Sequence, residues 1–330
     1  MSTMKTKTML DRFWRLQKKI SSPMDLFDGA RKYTSYVFDR KSFDPNFDAL
    51  EVSPQAVETA RRIRAVERGP AVIIHGIMPR SGTVYVGDLL GLHPDLALTP
   101  NKIWEIPFLK LTDDILRVQE EFFRSYKNNR SRIGAADFLP LFGAAFVAHL
   151  HSFAPEEKRM LLKMPGVQYL NHFFSVFPHE NLLLLVRDGR DVVHSTVRTW
   201  PELRFSDVCR RWNRSVRMIL AFQERYAGRQ GYWMTRFEDA VRDPEVFVKE
   251  ACSHFGLDGD KFPYEKIEAI PVQGSSSFMK EGKARYWVKK PRGFNPIGRW
   301  EQWPAGKKRA FKRIAGEALM DLGYCDNLDW

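Results

Sequence analysis

An α/β fold, with a parallel sheet covered by helices on both faces, is what this 330-residue sequence predicts. Three apolar runs predict it. Ala71 to Ile77, Met160 to Met164 and Leu182 to Val186 are continuous rather than alternating, as in strands buried on both faces. Each is followed by a turn and then by apolar residues at helical spacing. Strands alternating with helices in this way close into a parallel sheet through right-handed crossovers. Ligands of such sheets sit beyond the C-terminal strand ends, so the residues that end each run are the site candidates.

Taken in order, residues 4 to 20 place Leu10, Phe13 and Trp14 on one helical face among lysines and arginines. That stripe suits a helix docked on the domain, and also a peripheral contact with a membrane surface. Residues 21 to 52 read as an irregular wrapping segment. Ser53-Pro54 opens a helix, Ser as cap and Pro in the first turn, running to about Glu67 before Arg68-Gly69-Pro70 breaks it. We read residues 1–70 as an N-terminal helical and wrapping extension and 71–330 as a single domain.

The first apolar run leads into Met78-Pro79-Arg80-Ser81-Gly82-Thr83 and a helix. In such a junction the loop N–H groups and the first helical turn converge on one spot, where the helix dipole favours negative charge. Gly82 lets the backbone approach an anion, and Ser81 and Thr83 offer hydroxyls. The nucleotide triphosphatase pattern G-x-x-x-x-G-K-[ST] is not met: Thr83 follows Gly82 directly, and the cation, Arg80, precedes it.

His93 to Leu109 is a proline-interrupted connection carrying Glu105, and residues 111 to 151 read as helical. Lys163 stands at the C-terminal edge of the second run, and a helix follows over Gln168 to Phe177. The third run ends in Arg187-Asp188-Gly189-Arg190-Asp191 and a helix through Ser195. Tyr232 to Thr235 is a further strand, followed by Arg236-Phe237-Glu238-Asp239 and a helix from about Pro244 to Phe255. Residues 271 to 303 are a mobile, basic segment, and a last helix runs from Pro304 to about Leu322. The loop at Arg80 to Thr83, Lys163 and Arg187 are thus expected at one rim.

Composition narrows the function class. A chain that is 44% hydrophobic, with 24 Phe and 9 Trp, can bury a large core. Cys209, Cys252 and Cys325 have neither a disulfide nor a metal-ligand spacing. No run approaches the roughly 18 apolar residues of a membrane span, and the N-terminus lacks a signal-peptide core. The expectation is a soluble, cytoplasmic protein. A net charge of +12 calls for an anionic partner, but no nucleic-acid motif is present.

PRSGT after one strand, VRDGRDVVHS after another and a late basic GRW together resemble the sulfotransferase family that uses 3′-phosphoadenosine 5′-phosphosulfate (PAPS). The second motif is especially similar to the protein-tyrosine sulfotransferase branch and its bacterial-type relatives. The resemblance runs from about Ala71 to Tyr324 and implies the P-loop-like parallel sheet of that fold. It implies metal-free transfer of a sulfuryl group from PAPS to a hydroxyl or amine of a peptide tyrosine, a glycan, or a small alcohol or phenol. Arg80, Ser81, Gly82 and Thr83 would hold the 5′-phosphosulfate. Arg187 and Ser195, eight positions apart, would face the 3′-phosphate, unless Arg187 instead pairs with Asp188 or Asp191 at the surface. Phe237 would stack on the nucleotide, Arg299 would add a phosphate cation, and Trp300 would meet the adenine or pack in the core. Lys163 would stabilise the transferring group. The His that commonly follows this Lys in the family is replaced by Met164, which leaves Glu105 as the candidate base by region, with His75, His93 and His194 as fallbacks. The alternatives are a P-loop kinase or nucleotide triphosphatase, with Asp188 as its acidic residue, and a non-catalytic basic protein binding nucleic acid or a membrane surface.

Overall fold

The three apolar runs lie side by side in the middle of one parallel sheet. The computed structural model describes residues 39, 41–47, 50–64, 69–98, 105–272, 278–280, 283–285 and 294–330. The helix expected over residues 4 to 20 lies outside them, as does most of the wrapping segment. Strands β1 (Val72–Gly76), β2 (Leu96–Leu98), β3 (Arg159–Met164), β4 (Asn181–Val186) and β5 (Tyr232–Arg236) are ordered β2-β3-β1-β4-β5. The register sets Ile74 level with Lys163 and Leu183, and Val186 level with Arg236.

Loss of alternation in the runs has the expected cause. Leu182, Leu184 and Val186 of β4 enter one apolar cluster, while Leu183 and Leu185 enter the other. Successive strand residues point to opposite faces, so a strand covered on both faces loses the alternation of polar and apolar residues.

Ten helices among the described residues flank the sheet: α1 (Pro54–Ile63), α2 (Thr83–Leu90), α3 (Thr112–Ser125), α4 (Phe138–His151), α5 (Phe173–Val176), α6 (Gly189–Thr199), α7 (Phe205–Tyr226), α8 (Phe237–Arg242), α9 (Pro244–Phe255) and α10 (Ala305–Asp321). Residues of α4 to α7 and α10 fill the first cluster, and residues of α2, α8 and α9 fill the second. Ser53 caps α1 as its sequence requires, accepting the Ala56 N–H at 3.1 Å. The Asp137 carboxylate in turn accepts from the Ser53 N–H and hydroxyl, at 2.6 and 2.8 Å, and ties α1 to the start of α4.

Several elements differ from expectation. The connection after His93 contains the edge strand β2, whose three residues are too few to show a period. Gln168 to Phe177 is not one helix but a 3-10 turn (Leu170–His172) followed by α5. Phe237 opens a helix rather than a loop, α8. The 22-residue α7 went unrecognised, although Val208, Trp212, Ser215, Ile219 and Phe222 are buried at helical spacing. Within the basic segment read as mobile, Phe278–Lys280 pairs antiparallel with Lys283–Arg285.

Candidate functional site

The loop between β1 and α2 is shaped by two left-handed residues, Arg80 (φ 81°) and Gly82 (φ 91°). Only Gly adopts this region without steric cost. A second constraint acts at the same position: a Cβ on Gly82 would lie 2.1 Å from the Phe237 ring. Ser81 departs from expectation. Its side chain is fully buried, its hydroxyl donates to the Met78 carbonyl, and it accepts the Met78 N–H at 3.0 Å. The hydroxyl closes the loop instead of facing a ligand. Thr83 begins α2 with its methyl directed at Gly76.

Arg187 leaves the end of β4 and reaches across the loop. Its Nη1 donates to the Arg80 carbonyl at 2.7 Å, and its Nη2 donates to the Pro296 carbonyl at 2.7 Å. Its guanidinium lies 4.5 Å from the centre of the Phe237 ring. Phe237 is 2% exposed, enclosed between Gly82 and Arg187, so it backs a cation rather than offering a face for stacking. Arg80 Nε donates to the Ser195 hydroxyl at 3.0 Å. Arg187 and Ser195 therefore converge through Arg80. The rival surface pairing of Arg187 with Asp188 is not formed, because the Asp188 carboxylate pairs with Arg190 at 2.7 Å.

Arg299 opens a 3-10 turn (Arg299–Gln302). Burial, then the charges of Arg187 and Arg299, push Arg80 down to about 10. Burial also lowers Arg299, with Arg198 and Arg187 adding to the effect. Arg198, in the last turn of α6, is a cation the sequence reading missed. Trp300 takes the packing role: Arg190 sits 4.0 Å from its ring, and Trp330 packs edge-on against it at 4.8 Å.

On the opposite side of the loop, the Ile106 N–H donates to the Lys163 carbonyl at 3.0 Å. This bond lays the segment after Glu105 along the end of β3. Glu105 keeps an exposed edge, and partial desolvation of its carboxyl raises its pKa, opposed by the charges of Lys163 and Lys110. Burial lowers Lys163, opposed by Glu105 and Asp88. Asp88 is a second carboxylate near Lys163 and was missed: burial raises it and Lys163 opposes. Its single position on α2 left no mark in the sequence.

The fallback histidines are engaged elsewhere. His75 Nδ1 meets the Gly166 carbonyl at 2.8 Å, and burial pushes its pKa down to about 4. His93 joins the Asp95 N–H to the Asp258 carbonyl. His194 Nδ1 accepts the Trp303 indole N–H at 3.1 Å, and burial followed by nearby arginines lowers it to about 4. Among the described residues no cluster of His, Cys, Asp and Glu is arranged to hold a metal ion, and no helix is long and apolar enough to cross a membrane.

A family model described as "Sulfotransferase family" matches residues 70–261. The chain is similar to a protein-tyrosine sulfotransferase of Drosophila melanogaster, 23% identical over 283 residues, covering 83% of this chain and 56% of that protein. Protein-tyrosine sulfotransferase 1 of Danio rerio is 24% identical over 267 residues, covering 77% of this chain and 72% of that protein. The chain thus spans little more than half the length of the fly relative. Solved structures that align include the sulfotransferase domain from the curacin biosynthetic pathway, with TM-score 0.45, 19% identity and coverage of 76% of this chain and 98% of that one. A sulfotransferase from Mycobacterium avium aligns with TM-score 0.44 and 14% identity, covering 92% of this chain and 97% of that one.

Proposed function

The chain belongs to the sulfotransferase family, and from that premise we propose that it transfers a sulfuryl group from PAPS to an acceptor hydroxyl or amine without a metal ion. One observation carries the reading: the Arg187 guanidinium donates to the Arg80 carbonyl while Arg80 Nε meets the Ser195 hydroxyl, so cations from two neighbouring strand ends share one rim, where burial, then the charges of Arg187 and Arg299, lowers Arg80 to about 10. Like charges held together disfavour their own ionised forms, and a doubly phosphorylated nucleotide relieves that repulsion when it binds. Arg80, Gly82 and Thr83 face the 5′-phosphosulfate. Arg187, Ser195 and Arg299 face the 3′-phosphate, with Ser81 and Phe237 supporting the loop and the Arg187 guanidinium.

In the transfer step the acceptor oxygen attacks sulfur, and the bond from sulfur to the bridging phosphate oxygen breaks. The leaving oxygen keeps that electron pair, opposite Arg80 and Lys163, which stabilise charge where it develops. The acceptor proton passes to the Glu105 carboxylate. Peptide tyrosine is the acceptor favoured by the names of the curated relatives, and glycans and small phenols are the competing classes.

The test is ligand-induced stabilisation. In EDTA, 3′-phosphoadenosine 5′-phosphate should raise the melting temperature more than ATP with magnesium does. The opposite ranking would favour a kinase or nucleotide triphosphatase. Labelled donor offered with tyrosyl peptide, glycan and phenol acceptors then identifies the acceptor class.

A further inference from the structure

One face of α6 holds the late segment at successive turns. Arg187, just before the helix, binds the Pro296 carbonyl. The Asp191 carboxylate accepts the Gly298 N–H at 2.8 Å and the Trp300 N–H at 3.3 Å. Arg190 lies against the Trp300 ring, and His194 accepts the Trp303 indole N–H. The two amides held by Asp191 flank Arg299 in the chain.

Resting on the sulfuryl-transfer reading of this rim, we propose that Asp191 is a positioning residue of the donor site, holding the turn that delivers Arg299 to the phosphate-binding cations. Asp191 is 1% exposed, and it places a negative charge where an anionic nucleotide is to bind. By Coulomb's law alone it weakens donor binding. Its geometry supplies the offsetting gain. Gly298 is left-handed (φ 77°) and precedes the 3-10 turn, whose first N–H groups find no partner within the turn. A carboxylate is the strongest side-chain acceptor for them. Asparagine at this position has the same shape but only one accepting oxygen, so one of the two N–H groups loses its partner.

Charge and positioning predict opposite signs for the same variant. Asp191→Asn, Arg299→Ala and the double variant are titrated with 3′-phosphoadenosine 5′-phosphate by calorimetry. Amide hydrogen exchange over residues 294–303 is followed without ligand. Asp191→Asn should weaken binding about tenfold, the worth of one charge-assisted hydrogen bond, although it removes a negative charge. Exchange at Gly298 and Trp300 should quicken. If Asp191 acts through Arg299, the double variant binds within about twofold of Arg299→Ala alone. Unchanged or tighter binding by Asp191→Asn, fully additive losses, or a lower melting temperature with intact affinity would each overturn the proposal. If the unmodified protein binds no nucleotide while exchange still quickens in Asp191→Asn, the transfer reading has failed and the clamp stands. Binding by the unmodified protein with unchanged exchange in the variant means the clamp has failed.

Discussion

The Arg187 guanidinium donates to the backbone carbonyl of Arg80 at 2.7 Å, across the gap between the ends of two neighbouring strands. A second N–H of the same group reaches Pro296, and the Phe237 ring supports it from one side. One planar fork thus fixes the loop at Arg80 and the segment at Pro296 relative to each other.

Lysine should therefore fail to replace this arginine. An ammonium is a point charge that cannot span two carbonyls in the geometry of a planar fork. Arg187→Lys is expected to lose 3′-phosphoadenosine 5′-phosphate affinity about tenfold or more, close to the loss in Arg187→Ala. Calorimetric titration of both variants checks this, and near-native affinity in the lysine variant would show that charge alone matters.

Gly82→Ala meets two separate obstacles, a left-handed backbone and the Phe237 ring. It should cost about 1–3 kcal/mol of stability, read from urea midpoints. In a Phe237→Ala background only the backbone cost remains, so the same substitution should cost measurably less there. Equal costs in both backgrounds would show that the ring does not restrict this position.

The three central strands were legible because burial on both faces leaves a mostly apolar run without alternation, broken only by His75 in β1 and, at the ends, by Arg159 and Lys163 in β3 and Asn181 in β4. Arg80, Lys163 and Arg187 were legible because parallel topology fixes which strand ends share a rim. The use made of Ser81 and Phe237 was not, since each could serve loop or ligand, and only packing decides: a buried hydroxyl closed on Met78, and a ring enclosed by Gly82 and Arg187. Asp88, Asp191 and Arg198 are ordinary charged helical residues until the tertiary fold brings Lys163, Gly298 and Arg299 to them.

His75 should make the fold sensitive to acid. Its pKa falls from 6.5 to about 4 on burial, so below pH about 6.5 the unfolded chain takes up a proton that the folded one refuses. The stability this group contributes is complete above that pH and is lost as pH drops towards 4. The loss is at most about 3.5 kcal/mol at about 1.4 kcal/mol per pH unit. Denaturation midpoints at pH 7 and pH 4.5 should diverge less in His75→Gln than in the unmodified protein. Parallel behaviour of the two would mean that His75 is not held neutral.

Glu105 carries the sharpest pH prediction. A general base works only when unprotonated, so turnover should rise with pH through the Glu105 pKa. That pKa is displaced above the ordinary carboxylate value by partial desolvation of the carboxyl. Glu105→Gln should lower kcat about 10²- to 10⁴-fold, abolish the acid limb and leave nucleotide affinity unchanged. Lys110 opposes the rise and is assigned no part in the transfer step, so Lys110→Met should keep the base but move the acid limb to higher pH. Asp88 is the control. It is the other carboxylate whose charge opposes the lowering of Lys163, and Asp88→Asn should leave the limb in place. A limb that survives Glu105→Gln and disappears in Asp88→Asn would transfer the role of base from the segment before β3 to the helix after the anion loop.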